Sequence, residues 1–255
     1  MGLAESLWAA RSGGTHVTVN DGDRPDDAAD AYAVQRGITA LAGTQIGWKV
    51  GATAQAAMDL LGFKEPFFGP LYERFFHASG EAVPIVPAHN AGIETEFVVG
   101  LARDLPPREA PYTDADIEAA VAWVAPGFEI IGTRLSSGLP GAGNLLIADG
   151  GANMDFVLGP KMPDWRDLDL TQHQVVLSIN DAEAAVGHSG MLLFGHTFGS
   201  VTWLANAEHL APRGLLAGDI ITTGSCTGVI PIAVGDRASA DFGALGEISV
   251  SFIDA

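Results

Sequence analysis

Ile93-Glu94-Thr95-Glu96-Phe97-Val98-Val99 sets two carboxylates two residues apart inside an apolar run. On a β-strand, side chains at i and i+2 share a face, whereas on a helix they point to different sides. The apolar content and the spacing together predict a strand over Ile93–Leu101 that carries both glutamates on one face. A third glutamate stands alone in Gly127-Phe128-Glu129-Ile130-Ile131. A carboxylate among apolar neighbours is costly unless it is paired or holds a metal. Three converging carboxylates with no basic residue beside them suit a hard divalent cation, Mg²⁺ or Mn²⁺. The bland alternative is the solvent face of an edge strand.

Composition frames that reading. The chain has 255 residues and 47% hydrophobic content, enough for one large domain core. Its 32 glycines and 14 prolines favour strands and loops over a helix bundle. A net charge of −18 repels phosphate backbones and anionic lipid, so neither nucleic acid nor a membrane is an expected partner. Cys226 is the single cysteine, which excludes an intramolecular disulfide and fits a reducing cytoplasm. No secretory signal and no membrane-length apolar run are apparent.

Outward from the glutamates, the pattern predicts a short helix over 3–12. A second helix, capped by Asp26 or Asp27, runs from Ala28 to about Leu41, with Ala31, Val34, Ile38 and Leu41 on one side. Ile46–Gly51 reads as a strand between glycines, 53–61 as a helical turn or two, and Pro66–Gly69 as a break. Further strands are expected at Ala82–Val86, Val175–Ile179, Ile220–Thr223, Val229–Val234 and Glu247–Phe252. Helices are expected at Asp114–Val124, capped by Thr113, and at Ser200–His209. Ser136–Asn144, with three glycines, reads as a mobile loop. The sheet-rich later part argues for an α+β fold rather than a repeated βαβ wind.

An ordered set of motifs carries a family resemblance. Gly47-Trp48-Lys49-Val50-Gly51 is followed by Pro66-Phe67-Phe68-Gly69, Ile93-Glu94-Thr95-Glu96 and Pro126-Gly127-Phe128-Glu129-Ile130-Ile131-Gly132-Thr133-Arg134. Ile147-Ala148-Asp149, Gly195-His196, Trp203-Leu204-Ala205-Asn206 and Ala217-Gly218-Asp219-Ile220-Ile221-Thr222-Thr223-Gly224 come after them. From about Ala28 onward the chain resembles the 2-keto-4-pentenoate hydratases and 4-oxalocrotonate decarboxylases of the fumarylacetoacetate hydrolase superfamily. The resemblance implies a mixed β-roll, barrel-like sheet core with flanking helices. A small helical segment over 1–45 would precede a catalytic domain over 46–255. It also implies an Mg²⁺ or Mn²⁺ site, a small 2-keto acid or 2-hydroxydienoate substrate, and a homo-oligomer, with a complex with a sequential pathway enzyme left open.

Carried over by position, Glu94, Glu96 and Glu129 match the metal ligands, and Lys49 matches the active-site lysine. Thr223-Gly224-Ser225 is similar to the segment against the substrate carboxylate, and Phe67 falls where the hydratases usually place an acid. Ala148-Asp149-Gly150 departs from the family's Ala-Asp-Asn, and Gly195-His196-Thr197-Phe198 from its Gly-His-Pro-Leu. Gly224-Ser225-Cys226-Thr227-Gly228 mimics a nucleophile elbow, but a strand pattern follows where that motif needs a helix, so Cys226 reads as a small buried residue. His196 reads as a capping or packing residue. The expected activity is a hydratase-type lyase. A 4-oxalocrotonate-type decarboxylase and an acylpyruvate C–C hydrolase use the same site, and a keto-acid-binding or partner-supporting subunit without catalysis is the alternative of another class.

Overall fold

The computed structural model describes residues 2–170, 172–192 and 194–255. Two helices, α1 (Leu3–Gly13) and α2 (Ala28–Ala42), lead into β1 (Gln45–Gly51), α3 (Gln55–Leu61) and β2 (Phe67–Tyr72). The short β3 (Phe76–Ala78) and β4 (Ala82–Ile85) precede β5 (Gly92–Leu101), α4 (Asp114–Glu118) and β6 (Val121–Ile131). After α5 (Asn144–Ala148) come β7 (Asn153–Leu158), β8 (Gln174–Ile179), β9 (Ala182–His188) and α6 (Thr197–Ala205). The chain closes with β10 (Ile220–Ser225), β11 (Ile230–Pro231), β12 (Arg237–Asp241) and β13 (Glu247–Asp254).

The fold is α+β, as expected. A curled half-barrel sheet runs β2-β1-β10-β5-β6-β7-β3, with β11 also paired to β5. A smaller sheet runs β4-β13-β12-β8-β9. The antiparallel ladder of β5 and β6 runs from Gly92↔Ile131 to Leu101↔Val121 and forms the centre of the large sheet. Both faces of β5 are covered, which is why its sequence is apolar nearly throughout. One face sends Phe97 edge-on against Phe242 at 5.5 Å, within the main core. The other carries Val98 into a small cluster with Leu71, Ala125, Phe156 and Leu158. Glu94 and Glu96 share that second face with Val98.

α2 begins at Asp27, whose side chain accepts from the Asp30 N–H. Its buried face is Ala31, Tyr32, Gln35, Ile38 and Ala42. Leu41 is exposed, contrary to the apolar stripe read from sequence. The reason is Gln35: its amide donates to Phe68 O at 3.0 Å and Ile147 O at 2.9 Å, so burying it ties α2 to β2 and α5. α1 packs on α2 and is pinned by Arg11, which donates to the carbonyls of Asn153 and Met154.

Several expected elements are corrected. Pro66–Gly69 is no break, because Phe67–Tyr72 pairs antiparallel with β1. Pro70 fits there because β2 is the edge of its sheet and needs no second ladder. The helix expected over Asp114–Val124 stops at Glu118. Its capping box at Thr113 and Asp116 is present, but Val121–Val124 join the ladder with β5. The last helix spans Thr197–Ala205, earlier than Ser200–His209. Within Val229–Val234 only Ile230–Pro231 pairs as strand. The Ser136–Asn144 loop is tied to the end of α3, where Gly141 and Gly143 donate their N–H groups to Leu60 O and Leu61 O.

Candidate metal centre

Strand register assembles the centre. Glu94 on β5 lies directly opposite Glu129 on β6, and Glu96 lies opposite Gly127. Directly opposed residues of an antiparallel pair point to the same face. The three glutamates therefore converge, with ligand oxygens all within 4.8 Å of one another. Gly127 leaves the space beside Glu129 to Val98 and Phe156, which a Cβ there would meet at 2.4 Å and 2.9 Å.

β10 lies on the other side of β5. Its register runs Thr222↔Val98 and then Ser225↔Glu96, so one extra residue bulges from the strand. The bulge turns the Gly224 N–H onto Glu96 Oε2 at 2.6 Å. Gly224 has φ +103, and a Cβ on it would lie 2.0 Å from the Thr53 hydroxyl, so the position requires glycine. On the far side of β10, β1 brings Lys49 into register with Thr222. The Lys49 Nζ is buried 3.4 Å from Glu129 Oε1 and 4.9 Å from the centre of the Phe67 ring. Gly151 packs on both, since a Cβ there would meet Lys49 Cε at 2.4 Å and Phe67 Cε2 at 2.7 Å.

The electrostatics of the cluster are unbalanced. Glu96 and Glu129 are buried and Glu94 is half-buried. Burial, then Glu129, pushes the Glu94 carboxyl up to about 7. Burial followed by the repulsion of Glu129 and Glu94 holds Glu96 well above the ordinary carboxylate range. Three carboxylates face one ammonium, so the group is under-compensated by the protein itself. An all-oxygen, anionic, closely spaced donor set fits a hard divalent cation.

The cluster opens into a cavity of about 530 Å³, which Lys49, Glu94, Glu96, Phe67, Gly224 and Ser225 line. Thr223 does not join them. The bulge leaves it on the opposite face of β10, where its hydroxyl donates to Phe97 O at 2.9 Å. Asn153 is a site residue that motif reading missed: its buried amide donates to Glu129 Oε1 at 3.1 Å. It lies three residues beyond Gly150, and nothing in its local sequence marks it; β7 carries it to the centre by pairing with β6.

The remaining candidates sit elsewhere. Asp149 is buried in an ion pair with Arg134 at 2.7 Å and braces the turn before β7. His196 is the N-cap residue of α6, with Nε2 3.2 Å from Asp114 Oδ2. Together with Asp114 it lines a separate cavity of about 750 Å³ that shares none of Lys49, Phe67, Glu94, Glu96, Gly224 and Ser225. Cys226 lines the metal-side cavity, but burial pushes its thiol up, away from the thiolate a nucleophile needs. Among the described residues no helix is long and apolar enough to cross a membrane.

No family model matches the chain. The 2-hydroxyhexa-2,4-dienoate hydratase of Comamonas testosteroni is 30% identical over 99% of this chain and 95% of that protein. The chain belongs to the 2-keto-4-pentenoate hydratase and 4-oxalocrotonate decarboxylase family. That family is one of enzymes. The 2-keto-4-pentenoate hydratase of Burkholderia vietnamiensis is 28% identical over 96% of this chain and 94% of its own length. Among solved structures, the 4-oxalocrotonate decarboxylase of Pseudomonas putida G7, complexed with magnesium and adipate, superposes with a TM-score of 0.88. It is 28% identical, over 98% of this chain and 96% of that one. The resemblance read from the motifs is thus established for the family, and a divalent metal is in keeping with it.

Proposed function

We propose that this chain is a divalent-metal-dependent hydratase of a 2-hydroxydienoate, acting through the 2-keto-enoate tautomer, with Mg²⁺ or Mn²⁺ as its ion. The observation that carries the reading is the convergence of Glu94, Glu96 and Glu129 beside Lys49 at the inner end of one cavity. The three carboxylates would hold the ion. When bound, it supplies Lewis acidity toward the carboxylate and 2-oxygen of a 2-keto acid.

The chain's own groups divide the remaining work. Lys49 Nζ is the one cationic group lining the cavity among the described residues, and it is placed to move a proton. Ketonisation of 2-hydroxypenta-2,4-dienoate removes the proton of the 2-hydroxyl and adds one at C5. Water then adds across the remaining double bond, with hydroxyl at C4 and hydrogen at C3, to give 4-hydroxy-2-oxopentanoate. Ser225, beside Glu96 in the ladder, faces the same cavity and is assigned to orient the substrate carboxylate. Gly224 holds Glu96 through its N–H, and Asn153 holds Glu129 through its amide. Phe67 keeps the lysine's far side apolar.

Phe67 also favours a second reading. With no acid at this position water lacks an obvious base, which suits 4-oxalocrotonate-type decarboxylation. NMR analysis of products from Mg²⁺-loaded enzyme separates the two. Formation of 4-hydroxy-2-oxopentanoate supports hydration, whereas release of CO₂ from a dicarboxylic substrate without hydration overturns it.

We assign catalysis to residues 46–255, where every proposed site residue falls, and a covering role to the helical segment 1–45. A homo-oligomer in the cytoplasm completes the proposal, the location resting on the single, unpaired Cys226.

A further inference from the structure

The charge in the 530 Å³ cavity is confined to one end. Lys49, Glu94 and Glu96 are its only charged lining residues among those described, and no arginine, histidine or second lysine lines it. The lining away from the carboxylates is apolar. Leu61 and Leu139 form part of its walls. Leu60, Val186, Met191 and Val229 also line it, and they are 59%, 44%, 57% and 48% exposed. These four are half of the eight large hydrophobic side chains exposed on the described surface, so exposed apolar area is concentrated at this cavity. They come from separate parts of the chain. Leu60 stands on α3, Val186 on β9, Met191 in the turn after β9, and Val229 just before β11.

The fixed points of the rim are ordinary backbone contacts. Leu60 O accepts the Gly141 N–H at 3.0 Å. Gly187, next to Val186, packs so closely on the Cys226 carbonyl that a Cβ there would lie 1.9 Å from its oxygen. A cavity of this size encloses far more than a pentadienoate; pockets of roughly 300–1,000 Å³ hold drug-sized ligands. Space and apolar lining therefore lie beyond the carboxylate end.

We infer that the substrate is a monocarboxylate carrying an apolar substituent at C5, and that Leu60, Val186, Met191 and Val229 select that substituent. The inference rests on the hydratase reading, which places the substrate's C1 carboxylate at the metal end. A second carboxylate at the far end would lie against these apolar side chains with no cation to pair it and would lose part of its hydration. The chain's charge of −18 opposes it further. A methyl or larger alkyl group in the same place gains from burial.

The test compares isosteric acids on Mg²⁺-loaded full-length protein by calorimetry. 2-Oxohexanoate and 2-oxoadipate differ by a methyl against a carboxylate at the far end. 2-Oxohexanoate is expected to bind at least about tenfold tighter, the scale of exchanging a buried methyl for an unpaired carboxylate. Met191→Arg and Leu60→Arg, both at exposed positions, are each expected to shrink that ratio by at least about fivefold, since each offers the far carboxylate a partner. Turnover of 2-hydroxyhexa-2,4-dienoate and 2-hydroxymuconate is measured alongside. Equal or tighter binding of 2-oxoadipate overturns the inference whether or not either dienoate reacts. A preference for 2-oxohexanoate with no hydration of either dienoate overturns the hydratase reading and leaves the selectivity standing. Failure of both oxo acids to bind overturns both.

Discussion

Replacing Glu96 by glutamine tests the metal centre with the least disturbance to the fold. Glu96 is buried, and its Oε2 accepts the Gly224 N–H at 2.6 Å. An amide oxygen can keep that hydrogen bond, whereas Glu96→Ala would leave a cavity and an orphaned N–H. Burial, and after it the repulsion of Glu129 and Glu94, raises the Glu96 carboxyl in the metal-free protein, and the variant relieves both. Metal-free E96Q should therefore be at least as stable as metal-free wild type. Its metal affinity should fall by at least about 100-fold, because loss of a mere supporting partner already costs about 10–100-fold. At a free Mg²⁺ concentration of 100 times the wild-type Kd, binding stabilises the wild type by about 2.7 kcal/mol. The same concentration stabilises the variant by only about 0.4 kcal/mol. For a chain of this size those figures correspond to increases in Tm of about 5–10 °C and about 1 °C. Thermal melts with and without Mg²⁺, at a concentration fixed by calorimetry on the wild type, read the difference directly. An E96Q protein that keeps the full wild-type increment refutes the assignment of Glu96 as a ligand.

Lys49→Met should lower turnover by about 10²–10⁴-fold, the usual contribution of an acid–base group, while calorimetric Mg²⁺ affinity changes far less; a loss of turnover under about threefold removes the proton-transfer role. Phe67→Asp should raise hydration of 2-hydroxypenta-2,4-dienoate relative to any CO₂ release, read by NMR product ratios, and an unchanged ratio in a folded variant would show that position 67 does not control the chemistry. Metal affinity should decline as pH falls below about 7, where the Glu94 carboxyl takes up a proton that competes with the ion, and calorimetry at pH 8, 7 and 6 would contradict this if the Kd stayed constant. For metal-free protein the sign on stability is opposite to that of a paired carboxylate. The folded-state value of Glu94, about 7, lies above its unfolded value, so its contribution falls as pH rises from the unfolded value through about 7, and Mg²⁺ should abolish that fall in melts across the range.

The elements legible in the sequence were those whose signal was local. β5 combined an apolar run with two glutamates at strand spacing, and α2 combined an Asp27 cap with a terminal glycine. Val121–Val124 shows where local signals stop. Thr113 and Asp116 form a complete capping box, yet the helix lasts only through Glu118 because pairing with β5 claims the next apolar residues. A short apolar run fits helix and strand equally until a partner strand is known. β12 escaped notice for a different reason. Its alternation is built on Ala238 and Ala240, whose small side chains are buried but carry little apolar signal.

The candidate centre divides along the same line. Glu94 and Glu96 are visible in sequence because one strand sets their spacing, and Glu129 because its apolar flanks make a lone carboxylate expensive. The order of strands that joins them cannot be read from any one segment. Lys49 reaches Glu129 only because β1 lies beside β10 and β10 beside β5, although more than seventy residues separate the two in the chain. Asn153 is a still clearer case, since an asparagine at the start of a strand carries no marker, and only the pairing of β7 with β6 turns its amide toward Glu129. Thr223 shows the limit of carrying a motif over by position. Thr223, Gly224 and Ser225 are consecutive, but the bulge in β10 aims the Gly224 N–H at Glu96, sets Ser225 in the cavity and turns Thr223 to the Phe97 carbonyl. A motif fixes which residues are near a site, whereas the backbone irregularity inside it fixes which of them face the substrate.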